Sequence, residues 1–445
     1  MVMKTQLAPV VMISAIASGQ GKTSVTAALA RHFRDLGWRV RIFKTGADFI
    51  DPMLLETAVG APVLSLDLWL VGLAACRAML IAAAQESDLV LIEGVMGLYD
   101  GTPSSADLAN ALEVPVIAVI DASAMAQTAA AIVYGLRDFG PVHMAGLIAN
   151  RVSSSAHLQL IKSALGDIPI MASLPPQTEV LPERHLGLVI PGEIDQLDQI
   201  IQKLADSLQL DCQDWKCLKP LCSERLPYQQ IVKPGQLDCR LKGRRIAIAR
   251  DHAFAFIYPA NIQALKDLGA DLVFFSPCAD QTIPHNVDAL YLPGGYPELH
   301  AKVLTQASCW LGSLREFAQS SAPIYAECGG MISLVDTLCD LDGMSWPMAG
   351  LLPGTVSVQK KLQALGMQTW VTRHGVLRGH TFHYSRFDTT LVSDEYALRQ
   401  HTEQTGEPIY RLGNIQASYF HAYFPSNLAA TARLFLDPNS TENLR

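Results

Sequence analysis

The chain reads SAIASGQGKTS from Ser14 to Ser24, a lysine and a threonine set behind closely spaced glycines. Where such a run follows a strand and opens a helix, backbone N–H groups and the positive end of the helix dipole face a phosphate. The lysine then neutralises charge, and the threonine hydroxyl can ligate Mg²⁺. The usual spacing places a first glycine at position 16, where this chain has Ile16. Gly19 and Gly21 still permit close approach, so Gly19, Gly21, Lys22 and Thr23, together with Lys44, are expected to hold a nucleotide. Carboxylates follow where phosphoryl chemistry would use them. FKTGADFIDP carries Lys44, Asp48 and Asp51, and LIEGVMGLYDG carries Glu93 and Asp100. In an open parallel sheet, ligands collect beyond the carboxyl ends of the strands, where these acids fall. Any one of them is as readily a cap or a turn former, as with Asp51 before Pro52. As a set they suit metal-assisted phosphoryl transfer, with Thr23, Asp48 and Glu93 the metal candidates.

A second constellation lies downstream. APIYAECGGMISLVDTL is a buried strand, then Cys328, then two glycines opening a helix. This is the thiol form of a nucleophile elbow, in which a sharp turn projects the side chain and the helix start favours thiolate. ASYFHAYFPSN supplies His421 as a base near the end of the sequence, and YLPGGYPEL supplies Gly294 and Gly295. Their N–H groups, with that of Gly329, are expected to face a developing oxyanion. Singly, a free cysteine is usually a small hydrophobe, a histidine a core residue and paired glycines a turn. Together, in this order, they point to nucleophilic attack on an amide carbonyl. His380 and His383 of GHTFHYS suit structural hydrogen bonding better than catalysis.

These residues need elements to hold them. PVVMISAI, RVRIFKTG, SDLVLIEGV, VPVIAVIDA and MAGLIANRV read as buried strands alternating with helical stretches such as KTSVTAALARHFRDLG, which predicts a parallel sheet with helices on both faces. Beyond residue 202 the periodicity fades, and residues 203–242 read as a linker. Alternation resumes with GRRIAIAR, IYPANIQALKDLGA, DLVFFSP, DALYLPGG and APIYAE. The fold class is therefore α/β in two domains. An N-terminal phosphate-loop domain covers residues 1–202, and a C-terminal domain covers residues 243–445.

Composition narrows the alternatives. The 445 residues carry a formal net charge of −8 and no run of Lys or Arg, which argues against nucleic acid or an anionic membrane as partner. The apolar stretches read as too short or too interrupted to span a bilayer, and a cytoplasmic protein is expected. The nine cysteines show no secreted framework, and Cys212, Cys217 and Cys222 are spaced too widely for a zinc knuckle.

FKTGADFIDP, EGVMGLYDG and HLGLV in the first half, with GGYPE, AECGGM, GHTFHYS and SYFHAYF in the second, resemble the cobyrinic acid a,c-diamide synthase family over nearly the whole chain. The resemblance implies a dethiobiotin-synthetase-like ATP domain joined to a class I glutamine amidotransferase domain. Its activity would be phosphorylation of a carboxylate by MgATP, followed by displacement of phosphate with ammonia from L-glutamine. Asp48, Asp51, Glu93 and Asp100 would be the functional acids, and a corrin polycarboxylate the substrate, amidated on its a and c side chains in cobalamin biosynthesis. Where the family often has a second histidine two residues after the first, this chain has Tyr423, which leaves His421 without a charged orienting partner there.

Several alternatives stay open at this point. Within the same chemistry they are hydrogenobyrinic acid, nickel sirohydrochlorin or, as a weaker match, a cobyric acid synthase. Outside it are a dimerising ATPase switch without amide synthesis, and a synthetase with an inactive glutaminase half that uses free ammonia. A homodimer also stays open. Because free ammonia is mostly protonated at neutral pH, a shielded route between the two sites is expected, and the sequence does not locate it.

Overall fold

The computed structural model describes residues 7–177, 183–184, 187–188, 190–222 and 239–437. His185, Leu186 and Val189 of the HLGLV motif lie outside the described residues. The chain divides into two compact units, Met1–Ile231 and Val232–Arg445.

In the first unit the β-branched runs become buried strands: β1 (Val10–Ala15), β2 (Val40–Thr45), β3 (Leu64–Leu66), β4 (Leu89–Glu93), β5 (Val116–Asp121), β6 (Met144–Asn150) and β7 (Ile170–Ser173). They form one sheet in the order β3-β2-β4-β1-β5-β6-β7, and every neighbouring pair is parallel. Helices α1 (Lys22–Asp35), α2 (Ile50–Val59), α3 (Leu73–Glu86), α4 (Ser105–Ala111), α5 (Thr128–Phe139) and α6 (Ser155–Ala164) connect the strands. Strand β1 sits centrally with β4 on one side and β5 on the other; the connection from β1 runs towards β2 while that from β4 crosses to β5, so the two diverge at the carboxyl ends of these neighbours. This is the topological switch point at which open α/β sheets bind ligands.

Two expectations are corrected here. The stretch read as the start of a linker belongs to this unit. Helix α7 (Leu197–Ser207) runs into a bridge between Ser173 and Gln209, and a short α8 (Cys212–Lys216) follows. Ile201, Leu204, Leu208 and Trp215 join the core beside α1. Arg31 of α1 pairs with Asp198 and donates to Gln202 at 3.0 Å, while Trp215 donates to the Met171 carbonyl at 2.9 Å. A polar, cysteine-bearing stretch masked one fully buried indole. Trp215→Ala should therefore destabilise this unit by about 3–5 kcal/mol, the usual cost of emptying an aromatic core site. Thermal denaturation checks this, and a shift of a degree or less would mean the segment is only attached.

The second correction concerns apolar length. Leu68–Glu86 is a helical stretch of 19 residues, with Gly72 out of helical geometry (φ 89°), whose mean hydropathy reaches 1.7, long and apolar enough by composition to cross a bilayer. In the fold Cys76, Leu80, Ala83 and Ala84 of this stretch are buried in the core that holds Val90 and Ile92 of β4, although only 33% of the apolar window is buried.

A two-residue antiparallel ribbon, β8 (Glu183–Arg184) with β9 (Gly187–Leu188), precedes α7 in sequence. The second unit opens with β10 (Arg245–Ala249), α9 (Pro259–Asp267), β11 (Asp271–Phe275), β12 (Ala289–Leu292), α10 (Ala301–Gln306), α11 (Ser308–Ala318) and β13 (Ile324–Glu327), of which the sequence predicts the strands and α9. A one-turn α12 (Gly329–Ile332) follows, then β14 (Val335–Cys339), β15 (Ser345–Pro347), β16 (Leu352–Val358), β17 (Ala364–Thr372), β18 (Gly375–His383), β19 (Ser385–Asp388), β20 (Glu395–Arg399), β21 (Thr405–Leu412), β22 (Ile415–Ser418), β23 (His421–Tyr423) and α13 (Leu428–Leu434). Strands β11, β10, β12, β13 and β22 are parallel, and the sheet continues antiparallel through β21, β20, β17, β18 and β23. The antiparallel half escaped the sequence reading because its strands are half-buried and its hairpin turns carry few strong signals.

Candidate active sites

In the first unit the loop between β1 and α1 is shaped by two glycines with left-handed backbone, Gly19 (φ 78°) and Gly21 (φ 85°). Nothing crowds Gly19, so only its dihedral demands glycine. At Gly21 a Cβ would collide with Asn150 Nδ2, which donates to the Gln20 carbonyl at 3.0 Å. Asn150, at the end of β6, thus holds the loop. The sequence reading missed it because a lone asparagine ending a strand carries no motif. Lys22 folds back over the loop, donating to the carbonyls of Ala17 at 2.9 Å and Met96 at 2.6 Å. Burial, followed by the Lys44 charge, lowers its pKa.

Three of the four predicted acids surround one ammonium. Lys44 and Glu93 are register partners on β2 and β4. Lys44 Nζ lies 2.7 Å from Glu93 Oε1, 2.7 Å from Asp51 Oδ2 and 3.9 Å from Asp48 Oδ2. Thr23 Oγ1 donates to the same Glu93 oxygen at 2.8 Å. Asp48 also caps α2, accepting from the N–H groups of Ile50 and Asp51.

The charges are strongly perturbed. Burial, reinforced by the Asp51 charge, pushes Asp48 up to about 7. Burial also raises Glu93, against the pull of Lys44. At Asp51 burial opposes ionisation, but the Lys44 ammonium overrides it and holds the carboxyl below the usual range. Burial tends to discharge Lys44, yet Glu93 and Asp51 raise it well above an ordinary lysine.

Asp100 is placed apart. It is exposed and accepts from the Gly97 N–H at 3.0 Å, closing the turn that carries the Met96 carbonyl to Lys22. Its charge acts on Lys22 rather than joining the Lys44 cluster.

The donor set fits a hard divalent cation. Glu93 Oε2 is buried without a hydrogen-bond partner among the described residues, beside the Thr23 hydroxyl and the other acids. Among the described residues no three His, Cys, Asp or Glu side chains are arranged to cage a metal alone. Ions that keep few protein ligands and complete their shell with water and substrate phosphates bind in such places.

In the second unit the elbow is present. Cys328 has φ 44° and ψ −105°, a strained conformation for a non-glycine residue of the kind that collects at functional sites. Its N–H donates to the Ser418 carbonyl at 2.7 Å, extending the pairing of β13 with β22. A Cβ on Gly330 would collide with the Leu292 carbonyl and one on Gly295 with the Ala253 carbonyl, so both must be glycine. A Cβ on Gly329 would stand 2.8 Å from Gly295 N, and one on Gly294 would strike the His421 imidazole. The predicted cysteine, histidine and three glycines are therefore brought together.

The expectation of a thiolate favoured by a helix start is corrected. Helix α12 is a single turn, and burial followed by the Glu298 charge raises the Cys328 thiol well above its ordinary value. Burial likewise pushes Glu298 up to about 7 and lowers His421 far below its ordinary range. Burial thus favours the neutral thiol and the neutral imidazole, an arrangement in which His421 can take the thiol proton as attack occurs.

An acid does stand near His421, at a distance beyond a hydrogen bond. Glu327, immediately before the nucleophile, lies with Oε2 3.9 Å from His421 Nδ1. It accepts from Tyr291 at 2.7 Å, Tyr325 at 2.9 Å and the Ala422 N–H at 2.9 Å, and burial pushes it up to about 7. Tyr423 instead packs edge-on to Tyr258, whose hydroxyl meets His380 Nδ1 at 3.1 Å, and His380 stacks on His421 at 5.0 Å. His383 bonds the Ser385 carbonyl and Glu407. Both histidines make the hydrogen bonds expected of them. The only sequence signal for Glu327 was an acid closing an otherwise apolar strand.

Glu327→Gln tests this. It should lower glutamine hydrolysis about 10²-fold, the low end of general acid–base contributions, and shift the pH profile while leaving ammonia-supported activity unchanged. A raised folded-state pKa also stabilises the fold below the ordinary value of 4.5, and that stability is lost as pH rises to about 7. The glutamine variant should lack this loss, of order ~3 kcal/mol, in denaturant titrations across that window.

The comparisons with known proteins agree with this division. Residues 11–189 match the CobQ/CobB/MinD/ParA nucleotide binding domain, and residues 245–429 match the CobB/CobQ-like glutamine amidotransferase domain. The cobyrinate a,c-diamide synthase of Herminiimonas arsenicoxydans is 51% identical over 97% of each chain. The hydrogenobyrinate a,c-diamide synthase of Pseudomonas aeruginosa is 46% identical, covering 96% of this chain and 97% of its own. That of Stutzerimonas stutzeri is also 46% identical, over 97% and 99%. With similarity of this extent across both units, and with a nucleotide loop in one and a cysteine elbow in the other, this chain is an enzyme that belongs to the a,c-diamide synthase family.

Proposed function

We propose that the protein amidates the a and c acetate side chains of cobyrinate, using MgATP and L-glutamine, in cobalamin biosynthesis. The observation that carries this reading is the pairing, in one chain, of the Lys44-centred carboxylate cluster beside a phosphate loop with the Cys328, His421 and Gly294–Gly295 constellation.

In the first unit the loop N–H groups and Lys22 bind the nucleotide phosphates. The Lys44 ammonium offsets charge as the γ-phosphoryl passes to a substrate carboxylate oxygen and the bond to ADP breaks. Thr23, Glu93 and Asp48 would hold Mg²⁺, which supplies Lewis-acid stabilisation of the transferring phosphoryl oxygens.

In the second unit Cys328 Sγ attacks the glutamine amide carbon as His421 takes the thiol proton. The oxyanion is met by the N–H groups of the Gly294–Gly295 turn and Gly329. His421 returns the proton to the departing nitrogen, and water cleaves the thioester to glutamate. Ammonia then attacks the acyl phosphate carbon and phosphate leaves.

The hydrogenobyrinate enzyme of Pseudomonas aeruginosa, at 46% identity, stands nearly as close as the cobyrinate enzyme of Herminiimonas arsenicoxydans at 51%, which keeps the metal-free macrocycle as the second reading. Incubation with MgATP, glutamine and either macrocycle, followed by mass spectrometry, separates them. Two successive acid-to-amide conversions on cobyrinate are expected. No conversion of either by folded, ATP-binding protein would overturn the assignment.

A further inference from the structure

Within the second unit, the end of the sheet opposite the nucleophile is hollow. Cys328 follows the carboxyl end of β13, whereas a cavity of about 590 Å³ opens where β13 and its parallel neighbour β22 begin, lined by Ile324 and Ile415. At ~3.3 Å per residue, four residues of strand separate its Ile324 wall from Cys328 by roughly 13 Å. The volume falls within the range of small-molecule sites, far beyond what a water cluster or a single oxyanion fills.

The lining is basic although the chain as a whole carries −8. Arg373, Arg411 and Arg433 converge there with His374, against one carboxylate, Glu395. That carboxylate is committed. It accepts from Arg411 at 3.0 Å and from Trp370 Nε1 at 3.2 Å. Arg411 also donates to Gln416 Oε1 at 2.9 Å, which fixes the amide orientation and leaves Nε2 as the free donor.

Gln416 Nε2 and Arg433 Nε are both buried with no acceptor among the described residues. Two orphaned buried donors in one cavity each carry a desolvation cost that an anionic acceptor would remove. His374 is held below its ordinary value by partial burial and then by the Arg433, Arg240 and Arg373 charges, as a positive field requires.

We propose that this cavity is a second ligand site, distinct from both half-reactions, that binds a small phosphorylated metabolite. Its phosphate would sit between Arg373 and Arg433 and accept from Gln416 Nε2. A guanidinium fork pairs bidentately with a carboxylate or a phosphate alike, but two arginines together with the Gln416 amide offer more donors than one carboxylate's two oxygens use and match a phosphate's three. The organic part would lie along Ile415, Ala430 and Leu434, apolar members of the same wall.

The test uses full-length protein carrying Lys22→Ala, so that the phosphate loop does not compete. Pyrophosphate, ADP and citrate are titrated by calorimetry. Saturable binding of pyrophosphate or ADP is expected, weakened tenfold or more by Arg433→Gln and tightened severalfold by Glu395→Gln, which keeps an acceptor for Trp370. Should Arg433→Gln fail to fold, Arg373→Gln on the exposed β17–β18 turn gives the same reading. Affinity unchanged in the arginine variants, absence of saturation by either phosphate probe, or citrate binding more tightly than both would each overturn the proposal.

Discussion

Cys328→Ala should abolish glutamine-dependent amidation, a loss of about 10⁴-fold or more, because the thioester cannot form without the sulfur. With ammonium salt at alkaline pH as nitrogen source, the same variant should keep activity comparable to the parent, since the phosphoryl chemistry resides in the other unit. The two-substrate comparison separates nucleophile loss from misfolding. The alanine should fold, because Cys328 is small, buried and joined to the sheet through its backbone N–H to Ser418. Residual glutamine-dependent turnover would show that Cys328 is not the nucleophile, and loss of the ammonia reaction as well would show that the change reaches beyond the glutaminase site.

Lys44→Met should have the second-largest effect, acting on both stability and catalysis. Lys44 is 2% exposed and the counter-ion of Glu93, itself fully buried, and of Asp51. Removing one partner of a buried pair strands the other charges, at about 3–5 kcal/mol. The strain is relieved in part by proton uptake, so the variant should be least stable at high pH, where all three acids would have to ionise together. Denaturant titration should place its midpoint well below the parent's. Adding Glu93→Gln should recover part of the stability and none of the amidation with either nitrogen source, because phosphoryl transfer would still lack its cation. Glutaminase turnover by Cys328 should persist in both variants. Recovery of amidation in the double variant would mean that Lys44 serves only to neutralise Glu93.

The two sites differ in how they became visible. Gly21-Lys22-Thr23 and Cys328-Gly329-Gly330 are local devices, a turn and the start of a helix, and their chemistry follows from spacing along the chain. The parallel strands were equally legible, because strands buried on both faces are written as short β-branched runs, as in β1 and β5. What those motifs could not specify was their neighbours. Lys44 and Glu93 stand 49 residues apart and became a pair only because β2 and β4 are adjacent, though β3 comes between them in the chain. Asn150 behind Gly21 depends in the same way on the crossover that places β6 near β1.

Position 423 holds Tyr423 where the family often has a second histidine, and the acid that approaches His421 is Glu327, supplied by a different strand. Pairing of β13 with β22, and of β23 with β18, sets that distance. Trp215 shows the same limit in the core, since nothing local in CQDWK distinguishes a linker indole from one buried against Phe33 at 5.1 Å between ring centroids. The sequence by itself determined the parallel strands, the loop, the elbow and the reaction class, because each is encoded in short local runs. Tertiary structure alone decided which charges meet, how far burial moves their pKa values, and where a basic cavity opens behind the glutaminase, because these depend on contacts between residues far apart in the chain.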